Sequence, residues 1–192
     1  MRSIADRFVV VLDANVLYPF RVRDILLRFS EAGLFRARWS PEILNEWTRN
    51  LLEQKPHLEK SIHSQLEAMK SAFPEALVEG HMELVNSLNL PDPDDRHVLA
   101  AAIQCDAQHI ITENLKDFPG KMLNGFGIEA VSADQFLHST MELYPEASIS
   151  ALRQMRADYK QPAMNPAEFL MSLRTAGLVK TSELTKRSID VI

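Results

Sequence analysis

A single cysteine, Cys105, in 192 residues leaves no internal disulfide framework and fits a reducing compartment. No apolar run approaches the roughly 18–20 residues that a membrane span requires. Arg2 precedes an apolar stretch, but Phe8 to Leu12 is too short for a secretory leader and runs straight into Asp13. The expectation is therefore a soluble, cytoplasmic protein with no membrane partner. Net positive charge is also missing. A formal charge of −5 excludes a general nucleic-acid coat, and no aromatic–basic surface of the kind that reads bases stands out. The acidic balance still permits an enzyme that gathers carboxylates around a metal while separate basic residues hold phosphates. There is no internal repeat. What remains, at 46% hydrophobic and 24% charged, is an ordinary globular composition able to bury a full core. The length suits one domain, or one domain and a tail.

Phe8-Val9-Val10-Val11-Leu12 reads as a strand buried on both faces, as in a parallel sheet. Asp13 and Asn15 follow where that strand should end, and ligands in open α/β sheets bind outside the carboxyl ends of strands. Taken alone, the pair would read equally well as an Asx-type turn. A helix is predicted over Asp24–Ala32, with Gly33 closing it. A second is opened by Ser40-Pro41, carries Ile43, Leu44, Trp47, Leu51 and Leu52, and ends at Pro56. A third is predicted over His57–Phe73. Residues 75–89 suggest a short strand near Ala76–Val78 and then a helix. Asp92-Pro93 starts an alanine-rich helix through Val98–Ile103. His109–Thr112 and Ile128–Val131 read as further strands, with a polar loop from Glu113 to Gly120 and a helix capped by Ser132. Strands alternating with helices at this spacing imply a parallel α/β sheet. From Tyr144-Pro145 onward the pattern is helical only. One helix is marked by Ile149, Leu152 and Met155, and another is capped by Asn165-Pro166 and closed by Gly177. The last ten residues are expected to be disordered.

Acidic residues cluster at the predicted strand ends and helix starts. Asp13 ends the first strand. Glu46 follows Glu42 by one turn on the second helix, so the two share a face. Asp92, Asp94 and Asp95 crowd one helix start, where a cap needs only one oxygen and three carboxylates repel one another. Asp117 follows the strand that ends at Thr112. Glu42 suits the helix macrodipole, and His97 and His109 read as core or edge residues rather than ligands. A carboxylate cluster with no histidine–cysteine set suits a hard cation, Mg²⁺ or Mn²⁺, which binds oxygen and lends itself to phosphodiester chemistry.

At these residues the chain resembles a PIN-domain ribonuclease. The resemblance rests on strand-Asp13-x-Asn15, a helical Glu46, Asp94-Asp95 before the alanine-rich helix, and strand-Thr112-x-Asn114-x-x-Asp117-Phe118. Within that family it is most similar to VapC-type toxins of bacterial toxin–antitoxin pairs, over roughly residues 7 to 137. The resemblance implies a three-layer α/β/α sandwich with a central parallel sheet and an acidic pocket for Mg²⁺ or Mn²⁺. It also implies endonucleolytic cleavage of RNA, a cognate antitoxin and a homodimer. By position Asp13, Glu46, Asp95 and Asp117 would hold metal and carry catalysis, with Asn15, Thr112 and Asn114 placing water or phosphate. Many relatives carry an acid where Asn114 stands, so the fourth position is either Asn114 or Asp117. Which of Asp94 and Asp95 turns inward is open at this point.

The expected division is a nuclease domain over 1–140 and a helical extension over 141–192. The rivals are a non-catalytic PIN-like binding module and an aspartyl-phosphate phosphatase. The latter would want an aspartate where Asn15 stands.

Overall fold

A computed structural model describes residues 8–192; Arg2 and the leader reading attached to it lie outside the described residues. In chain order the first elements are β1 (Val9–Leu12), α1 (Ala14–Leu17), α2 (Phe20–Glu31), β2 (Arg36–Arg38), α3 (Pro41–Gln54), α4 (Glu59–Ala72) and α5 (Met82–Val85). There follow α6 (Arg96–Gln104), β3 (His109–Ile111), α7 (Gly120–Leu123), β4 (Glu129–Val131), α8 (Ala133–Leu143), α9 (Pro145–Asp158), α10 (Pro166–Thr175) and α11 (Val179–Lys186). They form two compact units. The first comprises residues 8–18 and 36–131, the second residues 19–35 and 132–192. The division expected near residue 140 falls inside α8, and the units part between Val131 and Ser132 instead.

The first unit is built on a four-stranded sheet of order β2-β1-β3-β4, parallel throughout. The valine run of β1 occupies a central position because Val10, Val11 and Leu12 are fully buried. Burying each such side chain contributes roughly 1.5–3 kcal/mol. Helix α6 packs against β1 and β3. Its Ala100, Ala101 and Ala102 are 0% exposed, and with nothing beyond Cβ they let the helix backbone approach closely. The Asp13 N–H donates to the Ile111 carbonyl (3.1 Å) and the Thr112 N–H to the Val131 carbonyl (3.0 Å). These bonds fix the first residue beyond β1 and the first beyond β3 side by side.

Strand β2 has no counterpart in the sequence reading. Only Ala37 of its three residues is buried, between Arg36 and Arg38, so a charged edge strand leaves little apolar signal. The strand anticipated at 76–78 is reduced to one bridge, in which Trp39 pairs with Leu77. Helix α3 begins as predicted: the Ser40 hydroxyl accepts from the Ile43 N–H at 3.3 Å, with Pro41 in the first turn. The helix predicted from His57 begins with a short 3-10 turn, Pro56–Leu58, and in α4 only Ile62 and Met69 are buried.

The second unit is helical. Helix α2 starts at Phe20, four residues ahead of expectation, directly after the extended Pro19. It ends as predicted at Gly33, where φ is +75°, a conformation open to glycine. Val22, Ile25, Leu26 and Phe29 form its buried face, against α8, α9 and α10. Asp24 pairs with Arg28 (3.1 Å), which also reaches Asp158 (2.7 Å), and the Tyr159 hydroxyl donates to Asp24. Asn165 and Glu168 form a reciprocal capping box at the start of α10, both bonds at 2.9 Å. The final residues are ordered, contrary to expectation. Helix α11 runs to Lys186, its first N–H groups are held by Asp134, and Thr185 and Ile192 are buried. The sequence hides this because the buried positions of α11 are threonines and a serine. No helix among the described residues is long and apolar enough to cross a membrane.

Candidate active site: an acidic pocket at the strand ends

The pocket lies within the first unit, at the carboxyl ends of β1 and β3. Asp13 is 3% exposed. Its Oδ1 accepts from the Ala14 N–H at 2.7 Å, capping α1. Its Oδ2 accepts from the Thr112 hydroxyl at 2.7 Å and from Asn15 Nδ2 at 2.6 Å. Asn15 also donates to Thr112 Oγ1 (2.9 Å) and accepts from the Glu113 N–H (3.0 Å), while Thr112 Oγ1 accepts from the Asn114 N–H (3.0 Å). Asn15 and Thr112 are thus spent on orienting the carboxylate of Asp13, and Asn114 joins the network through its backbone. The Asn114 carbonyl accepts from the Asp117 N–H at 2.9 Å, closing the turn that carries Asp117.

Asp95 arrives from the start of α6. Asp92 caps the preceding 3-10 turn, accepting from the Asp94 N–H at 2.9 Å, and Asp94 is exposed. The inward residue is therefore Asp95. It makes no capping bond, and its Oδ2 is buried with no hydrogen-bond partner among the described residues. Burial, then the charges of Asp13, Asp92, Asp117 and Glu46 in that order, pushes its pKa up to about 7. Burial likewise raises Asp13 to about 6, aided by Glu46 and opposed by the Thr112 hydrogen bond. The four acids expected from sequence are thus close enough to act on one another through Asp95.

Two histidines flank Glu46 and Glu42: His97 was read from the sequence as a core or edge residue, and His81 carried no reading. His97 Nε2 lies 3.6 Å from Glu46 Oε2, and His81 Nε2 lies 3.0 Å from Glu42 Oε2. Burial works to raise the Glu42 carboxyl, but hydrogen bonds from its own backbone and from Ser40, with the fields of His81 and His97, hold it below the usual range. His97, two positions beyond Asp95 at the same helix start, was discoverable from that spacing. His81 sits in a loop with no periodic pattern to mark it. His109 stands on the interior strand β3, with its ring centroid 5.5 Å from that of Phe8.

A buried carboxylate oxygen without a partner among the described residues, in the field of four other acids, suits a hard cation, since a positive charge relieves both the missing partner and the repulsion. Among the described residues no three His, Cys, Asp or Glu side chains stand together as a ready ligand set.

A parallel α/β sheet with this acidic pocket defines a class, and the chain belongs to the PIN-domain family, whose model matches residues 9–116. A second model, the VapC50 C-terminal domain, matches residues 133–187. The chain is 37% identical over 94 residues to "Putative ribonuclease VapC50" of Mycobacterium tuberculosis, a match covering 49% of this chain and 55% of that protein. It thus spans about half the length of the curated relative it matches. No solved structure matches.

Proposed function

We propose that the protein is a metal-dependent endoribonuclease, the toxin of a toxin–antitoxin pair, acting through Asp13, Glu46, Asp95 and Asp117. The observation that carries this reading is the buried, partnerless Oδ2 of Asp95 amid the charges of the other three acids. An acid in that state costs stability, and groups kept at such a cost concentrate at functional sites. Membership of the PIN-domain family and the likeness to a VapC50 protein support the same reading.

Asp13, Glu46, Asp95 and Asp117 would hold Mg²⁺ or Mn²⁺. Bound there, the ion offsets the charge that develops on a phosphodiester under in-line attack. Asn15 and Thr112 keep the Asp13 carboxylate in one orientation, so no reorganisation is needed when substrate arrives. With a pKa raised to about 7, Asp95 exchanges its proton near neutral pH once a cation enters. Single-stranded RNA is the substrate class we favour, with a cognate antitoxin supplying a basic side chain to silence the pocket, a cytoplasmic setting, and a homodimer as the working form.

The test is cleavage of labelled total RNA and single-stranded DNA by wild type and Asp13→Asn, with and without Mg²⁺ or Mn²⁺. Metal-dependent RNA cutting that disappears in the variant is expected. Equal, metal-independent behaviour of the two proteins would replace this reading with a non-catalytic PIN-like module.

A further inference from the structure

Glu42 and Glu46 stand one turn apart on α3, on one face, with chemically identical heads. Each nevertheless has its own histidine. His81, 2% exposed in its side chain, lies with its Nε2 3.0 Å from Glu42 Oε2. His97 lies 3.6 Å from Glu46 Oε2, with 16% of its side chain exposed. His97 also borders the rest of the pocket. It follows Asp95 by two residues, and its field reaches Asp13 and Glu42. Glu46 meets the opposite influence from the acids, since Asp13 and Asp95 both feel it as a like charge. A glutamate has three rotatable side-chain bonds and half-exposed freedom to swing. With two like charges ahead of it and no restraint, it would turn outward to water.

We propose that His97 is a positioning residue that holds the Glu46 carboxylate toward Asp13 and Asp95, while His81 removes Glu42 from competition for the same place. Of two equivalent glutamates the fold thus delivers one to the pocket. This inference rests on the reading of Glu46 as a metal carboxylate. Partners that orient a liganding carboxylate commonly set metal affinity or activity by about 10–100-fold. Gln places an uncharged N–H group at nearly the position of imidazole Nε2, which in His97 lies 3.6 Å from Glu46 Oε2, so it keeps the polar contact without the ring.

The experiment is a Mn²⁺ titration followed by electron paramagnetic resonance on the full chain, for wild type, His97→Ala, His97→Gln and Glu46→Gln. It is paired with kcat and KM on a labelled single-stranded RNA and with melting temperature. His97→Ala is expected to weaken Mn²⁺ binding about tenfold or more, close to Glu46→Gln, and to lower kcat by a similar factor with KM nearly unchanged. His97→Gln should recover most of both. A Mn²⁺ affinity equal to wild type in His97→Ala, with Glu46→Gln weakened, would overturn the positioning role and leave the metal reading of Glu46 standing. A loss that Gln does not recover and that follows the melting temperature would also overturn it, making His97 a packing residue only. Unweakened binding in Glu46→Gln, or none in wild type, would remove the metal reading and this inference with it.

Discussion

Asp13 and Asp95 belong to one pocket and meet it in different ways. Asp13 sits at the end of a central strand and accepts hydrogen bonds from Ala14, Asn15 and Thr112. Asp95 sits at a helix start with one buried oxygen that accepts nothing, facing four like charges. Both are pushed up, Asp13 to about 6 and Asp95 to about 7, and burial is the leading cause for each. For Asp13 the donors counter burial, whereas for Asp95 the neighbouring acids add to it. The first acid is part of the fold's own hydrogen bonding. The second is a carboxyl raised by burial and by its like-charged neighbours, with one oxygen left without a donor among the described residues.

That contrast can be broken most sharply by amide substitution. Asp13→Asn and Asp95→Asn should each lower RNA cleavage by roughly 10²–10³-fold, the usual cost of removing one electrostatic contact to a transition state. They should part company in stability. Asp13→Asn, which sets an amide among groups that donate, should melt lower; Asp95→Asn, which removes a repelled charge, should melt higher without metal. Equal shifts in the two would erase the distinction. Next in size is the response to cation. At pH 7.5 saturating Mn²⁺, at about 100 times its dissociation constant, should stabilise wild type by about 2.7 kcal/mol. Asp95→Asn should show markedly less, as read by thermal melts.

Thr112→Val should cost about 1–3 kcal/mol in denaturant unfolding, because it leaves a buried carboxylate oxygen short of a donor. Thr112→Ser, which keeps the hydroxyl, should cost much less. The smallest effect concerns pH. Both folded-state pKa values lie above the ordinary 3.8, so the folded chain holds more protons than the unfolded one between about pH 4 and 7. Stability contributed by these groups is present below pH 4 and lost as pH rises to 7. Unfolding free energies of wild type and Asp95→Asn should therefore converge near pH 4 and diverge, in favour of the variant, above pH 7. A constant gap across that range would deny Asp95 its raised pKa.

Much of this arrangement is legible in the chain because local chemistry dictates it. The Val9–Leu12 run is buried in the central strand it suggests. Ser40-Pro41 and Asn165-Pro166 start helices where such pairs should. Counting back from Val98 favours Asp95 over Asp94; what the chain does not show is the 3-10 turn at Pro93–Asp95, in which Asp94 is left in solvent. Strand β2 was hidden because its pairing, not its composition, makes it a strand. The Glu42–His81 pair was hidden for a related reason: the two residues are brought together by tertiary packing across 39 positions of sequence.

The second unit also has a consequence for how the protein is made. Its helix α2 is encoded between β1 and β2, yet the helices that cover its apolar face begin at Ala133. A ribosome adding about 5–20 residues per second needs roughly 5–20 s to make the intervening hundred residues. During that interval Val22, Ile25, Leu26 and Phe29 have no native cover from α8, α9 or α10. The nascent chain therefore leaves these apolar side chains without their native cover until α8, α9 and α10 have been made.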